Sequence, residues 1–278
     1  MPARARSLTS AGLAVTAAAL LGACGATSSH TTPTPSGAPT TAASPTPSPT
    51  PQLIGTTRTV LSPLGLRIHS SPALGSTNVV GDAGQGATFT VLDYQSGGGG
   101  WLKVQGRSVV GWIVADPTLT APGMFNVYAS VDEVAALYPQ SWGFQQESYG
   151  VIFLPQAGTQ SILLESGATL QAFGAPGLAG YTQSSSGTVV VCGYTGTLNE
   201  YAKDAAYTGA TPTALPVPRL PLYVEIRLKF DASHAMIIGF NYSNSSQLDV
   251  FNDLYNSLTF PYPLCEKPAT PTPTPATR

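Results

Sequence analysis

Three cysteines, Cys24, Cys192 and Cys265, and three histidines, His30, His69 and His234, are the side chains of this 278-residue chain best suited to nucleophilic or metal chemistry. The histidines fall in three separate segments, so no two share a helix face or the spacing of a tetrahedral metal site. No metal and no cofactor is expected. Asp231, Ser233 and His234 gather an acid, a hydroxyl and an imidazole, but three residues of one turn do not converge as a catalytic triad must. Turn propensity accounts for them. No motif pairs Cys192 with His234 as nucleophile and base. The run Gly97 to Gly100 leads into Trp101 and a strand, where a phosphate cradle needs a helix N-terminus, and there is no Gly-x-Ser-x-Gly elbow. Asp132 and Glu133 suit the start of a helix, where the dipole favours acids. No catalytic residue is assigned, and the chain is expected not to be an enzyme. Twelve basic against fourteen acidic side chains, with no basic run, also exclude nucleic acid as a partner.

The elements that carry these residues begin with an export segment. Residues 1–23 combine Arg4 and Arg6 with an Ala-rich apolar stretch, Leu8 to Leu21, short for a membrane span. The following Leu21-Gly22-Ala23-Cys24 resembles the lipobox of bacterial lipoproteins, which implies cleavage before Cys24 and a lipid on its thiol. The expected location is therefore the outer face of the bacterial cell membrane, with the membrane itself a partner through Cys24. Several acyl chains on one residue, at about 0.8 kcal/mol per buried methylene, hold firmly. Residues 24–55 read as a tether: positions 27–52 hold thirteen Ser or Thr and seven Pro, and no charge occurs between Arg6 and Arg58. Such a sequence favours extended polyproline conformation. Residues 266–278 read as a second, disordered Thr/Pro tail. Export to an oxidising compartment leaves Cys192 and Cys265 as an even pair, and a disulfide is the economical reading.

Residues 56–121 show short apolar runs separated by Gly, Ser, Asn and Asp, the pattern of an all-β unit. Strands are expected at Leu64 to Ile68, Val79 to Gly81, Thr88 to Leu92, Trp101 to Val104 and Val110 to Val114. Leu66-Arg67-Ile68-His69-Ser70-Ser71-Pro72, Val79-Val80-Gly81, Gln85-Gly86-Ala87-Thr88, Trp101-Leu102-Lys103-Val104 and Gly111-Trp112-Ile113 together resemble the bacterial Src-homology-3 (SH3-like) family in order and spacing. His69 and Ser71 stand where the family usually has Arg and Gly. The resemblance implies a small barrel that binds cell-wall peptide or another surface component without chemistry. Tyr94, Trp101 and Trp112 are its candidate ligand residues, because flat aromatic side chains bind with little entropy loss. Both tryptophans suit a packing role that pins the sheet better than a ligand role, which makes Tyr94, beside the polyglycine loop, the better ligand candidate.

Residues 124–265 are long enough for their own core. Ser130 with Glu133, ahead of Val134, Ala136 and Leu137, predicts a capping box and a short helix ended by Pro139. Strands are expected at Gly150 to Leu154, Ile162 to Leu164, Thr188 to Tyr194, Leu222 to Phe230 and Ala235 to Tyr242. In Leu222 to Phe230, the alternation of Val224, Ile226 and Leu228 with Tyr223, Glu225 and Arg227 predicts one buried and one solvated face. Leu248, Phe251, Leu254, Tyr255 and Leu258 recur at helical spacing after Ser246 and Gln247. Tyr128, the run Tyr138-Pro139-Gln140-Ser141-Trp142 and Ser257-Leu258-Thr259-Phe260 resemble the PsbP-like family, which implies a non-enzymatic accessory domain.

The sequence thus predicts a multidomain fold: a small all-β SH3-like barrel followed by an α+β domain, an antiparallel sheet with helices on one face. The expected function is non-catalytic recognition of cell-wall peptide or an exported envelope protein through the barrel. The rival readings are an accessory protein of envelope assembly that binds protein partners through both domains, and a hydrolase in the second domain. Oligomeric state is open at this level.

Overall fold

The computed structural model describes residues 53–130, 132–206 and 219–265, all within the unit Thr50–Arg278. The expected signal 1–23, the lipidation site Cys24, the tether as far as residue 52 and the tail 266–278 lie outside the described residues.

Seven antiparallel strands make the first sheet: β1 (Thr57–Val60), β2 (Leu66–His69), β3 (Val79–Ala83), β4 (Thr88–Gln95), β5 (Trp101–Gln105), β6 (Val110–Val114) and β7 (Thr120–Pro122). Their spatial order is β3-β2-β6-β5-β4-β1-β7. Period-two alternation sends Phe89 and Val91 of β4 inward and Thr88 and Thr90 outward. The inward residues meet Val60, Ile68, Leu102, Val104 and Ile113 in a small apolar core.

A two-stranded ribbon follows, β8 (Phe125–Ala129) paired with β9 (Ala135–Pro139). The helix expected from Ser130 and Glu133 does not form. Glu133 adopts φ 60°, a left-handed conformation that ends helical continuation, and Ser130 closes a tight loop instead. Its amide donates to the Val134 carbonyl at 2.9 Å and its Oγ accepts from the Val134 amide at 3.2 Å. The apolar run reads as a helix because β9 is buried on both faces. Ala136 and Tyr138 enter the larger core, while Leu137 packs with Leu61, Ala121 and Phe125 against the first sheet. Periodicity does not separate a doubly buried strand from a short helix.

The second sheet also has seven antiparallel strands: β10 (Trp142–Glu147), β11 (Gly150–Pro155), β12 (Ser161–Gly167), β13 (Tyr181–Val191), β14 (Tyr194–Lys203), β15 (Leu222–Lys229) and β16 (Ala235–Tyr242). Their order is β10-β11-β12-β16-β15-β14-β13. One face presents Phe153, Ile162, Leu164, Val224, Ile226, Ile238 and Phe240 to Phe251 and Leu254 of α1 (Leu248–Asn256). That nine-residue segment is the single α-helix among the described residues. Two seven-stranded sheets, a ribbon and one helix overturn the expected SH3-like barrel with an α+β domain. The protein is mostly β, because segments expected to be helix or loop pair as strands.

Two further expectations change. The strand expected at Thr188 to Tyr194 is interrupted by a hairpin turn, in which Cys192 and Gly193 take φ 47° and 82° and join β13 to β14. Positive φ at both central residues matches the twist of the flanking strands. The Tyr223, Glu225 and Arg227 face of β15 is not solvated: these residues are 6%, 2% and 8% exposed.

Candidate functional site

On the helix side of the second sheet, the ends of β11, β12 and β16 form the floor of a groove, whose apolar residues are themselves buried. Val151, Leu164 and Met236 pave it, and Ser166 continues the same face of β12. One wall is the loop closing the ribbon, with Tyr128, Ser130, Asp132 and Val134; the other is the β10–β11 turn around Gln146 and Tyr149. Phe230, His234 and Tyr262 close the far end. The groove consists of two adjoining hollows of about 140 and 370 Å³ that share Asp132, Val134, Ser166 and Met236.

Local chemistry fixes each wall. Tyr128 donates to Gln146 Oε1 at 3.0 Å and so ties the ribbon to β10, and its ring meets Phe144 and Phe153 edge-on at 5.2 and 5.4 Å. At the far end, Asp231 Oδ1 accepts the amides of Ser233 and His234 at 2.6 and 2.9 Å, and Asp231 Oδ2 lies 2.8 Å from His234 Nδ1. This is a turn built by an aspartate side chain, as the spacing of the three residues predicts. The hydrogen bond from His234 and the one from the Ser233 amide hold the Asp231 carboxyl below its ordinary range. Tyr262 stacks on Phe230 with ring centres 4.4 Å apart.

The groove is acidic. Asp132 and Glu147 line it, and neither Lys nor Arg does. Its tyrosine hydroxyls are shifted upward, by burial first and by nearby carboxylates second. Burial, then Asp132, raises the Tyr128 hydroxyl, and burial, then Asp231, raises that of Tyr262. Tyr149 is raised by burial and by Glu147 and Glu165. The cleft thus offers polar and aromatic walls and a carboxylate rim above a buried apolar floor.

The predicted ligand residues of the first sheet do not form one strip. Trp101 is 4% exposed and packs edge-on against His69 at 5.5 Å. Trp112 lies under Lys103, whose Nζ is 5.9 Å from the ring centre. The register pairs Lys103 with Trp112, and Trp101 with Gln95 and Val114, on one face, but Tyr94 with Leu102 on the other. Tyr94 is 41% exposed. Cys192 and Cys265 are joined in a disulfide, their Cα atoms 4.9 Å apart and 73 positions apart in sequence. Among the described residues, no three His, Cys, Asp or Glu are placed to hold a metal ion, and no helix is long and apolar enough to cross a membrane. Sequence reasoning missed Asp132, Ser166, Met236 and Tyr262 as neighbours, since four separate elements bring them together. In the sequence Tyr128 reads only as part of a structural motif.

No protein-family model matches the chain, and no curated protein does.

Proposed function

We propose that this chain is an exported bacterial lipoprotein, anchored through Cys24 on the outer face of the cell membrane, that binds cell-wall peptide or an exported polypeptide without chemical turnover. The observation that carries this reading is the acidic, aromatic-ended groove between the ribbon and the second sheet. Its openness suits a chain-like ligand, and its carboxylates suit the amines that wall peptides and basic polypeptides carry. The burial of Trp101 and the separation of Tyr94 from both tryptophans favour the groove over the first sheet as the contact surface.

The test is capture of the full chain on isolated wall material or on Lys-containing peptides. Ser166 is exposed at the groove, so Ser166→Trp fills the cleft without disturbing the core. It is expected to cut capture by about tenfold, equal to about 1.4 kcal/mol, while Tyr94→Ala leaves capture unchanged. The opposite pattern would move the contact surface to the first sheet, and loss in neither would remove the binding proposal.

A further inference from the structure

The face of the second sheet opposite α1 buries a charged cluster beneath a chain segment that contributes little to the core. Glu225 accepts from Tyr201 Oη at 3.2 Å and from Tyr223 Oη at 3.4 Å, and Arg227 Nη1 lies 3.5 Å from Glu225 Oε1. Tyr201, Glu225 and Arg227 are all buried. Burial, reinforced by Glu225, raises both tyrosine hydroxyls. The cover is the segment 168–180, a strap between β12 and β13 in which not one residue is itself buried.

The hydrogen bonds that hold the strap run to its main chain, and the Phe173 ring packs against Gly167 of β12. Arg227 Nη2 donates to the carbonyls of Leu170 at 3.1 Å and Gly174 at 2.8 Å, and the Gly177 amide donates to Glu225 Oε1 at 3.0 Å. Arg219 donates to the Ala179 carbonyl at 2.6 Å. One position is selective. Gly177 sits at φ +88°, and a Cβ there would lie 2.7 Å from the Tyr201 ring. An arginine, a carboxyl and a ring that demands glycine are thus arranged to read a peptide backbone. A buried ion pair is a weak contributor to stability when an apolar pair would serve. A segment with few buried contacts opens at low cost.

We infer that the Tyr201–Glu225–Arg227 face is a second binding site, for a peptide that makes a single 3-10 turn, as Leu170–Phe173 does, and then sets a glycine against Tyr201, and that strap 168–180 occupies it in cis as a displaceable internal ligand. It lies on the other face of the sheet from the groove and does not depend on it.

The experiment compares the full wild-type chain with Gly177→Ala by amide hydrogen exchange and by binding of a labelled synthetic peptide with the sequence of residues 170–180. In the variant, exchange of the strap amides rises by about tenfold while β14 and β15 keep their protection, and the peptide binds about tenfold tighter than to wild type, because the competing strap is released. The same peptide with alanine at the Gly177 position does not bind. Three results overturn the inference: β14 and β15 lose protection in step with the strap, the strap stays as protected as in wild type, or it opens and the peptide does not bind. Should the variant not fold, the wild-type chain titrated with the peptide decides. Faster strap exchange supports displacement, and unchanged exchange contradicts it.

Discussion

The two seven-stranded sheets are alike in size and opposite in what they bury. Polar side chains buried in the first sheet and its loops are Thr59, Ser62, His69 and Thr120, whereas the second buries Glu225 and Arg227, the only charged side chains in that class among the described residues, with Asn199 and Asn241 beside them. A sheet that needs only stability has no reason to carry an ion pair in its interior. The first sheet is thus filled by apolar and uncharged polar packing, and the second carries both faces proposed above for binding, the acidic groove on one and the strapped cluster on the other.

The contrast breaks first at the buried pair. Arg227→Ala leaves the Glu225 carboxyl buried without its cation and is expected to cost about 3 to 5 kcal/mol in denaturant unfolding. Lys103→Ala, over Trp112 on the first sheet, costs under about 1 kcal/mol. Equal effects would erase the distinction between the sheets. Removing the Cys192–Cys265 bridge by a double Ser substitution comes next, at about 4 kcal/mol for a loop of this length. Because the bridge ties the β13–β14 turn to the chain after α1, hydrogen exchange in β13 and β14 should rise more than in the first sheet.

A smaller effect sharpens the boundary between the sheets. Gln85 Nε2 donates to the carbonyls of Leu61 and Ser257 there, and Arg58 of β1 acts on Asp253 of α1. Burial, then the neighbouring Asp249, lifts Asp253 from an ordinary 3.8 to about 7, with Arg58 pulling the other way. The folded state therefore holds a proton that the unfolded chain releases near pH 4. Stability falls as pH rises through roughly 4 to 7 and is level above that, with a change on the order of a few kcal/mol at most. Asp253→Asn should abolish this slope and gain stability at pH 8. A wild-type unfolding midpoint that does not move between pH 5 and pH 8 would contradict it.

Much of the scaffold is legible in the sequence where one physical signal dominates. Alternation in Leu222 to Lys229 and the apolar run in Ala235 to Tyr242 mark β15 and β16, and helical spacing from Leu248 marks α1. What fails is the inference from polarity to exposure. The alternation places Glu225 and Arg227 toward solvent because charges usually face water, yet they face a strap 45 or more positions earlier in the chain. The Ser-rich first part of β13, Tyr181 to Gly187, and the mixed β14 lack the apolar runs that announce strands, and the edge position of β13 is what permits its polarity. The groove was invisible for a related reason. Asp132 belongs to a loop that reads as a helix start, and Tyr262 to a Pro-flanked segment with no periodicity.

The most direct test of groove recognition is an amide-exchange footprint of the full chain bound to a Lys-containing wall peptide. Protection is expected at residues 128–130, 146–151 and 233–236, with β5 and β6 unchanged. Protection confined to β5 and β6, around Trp101 and Trp112, would contradict the account.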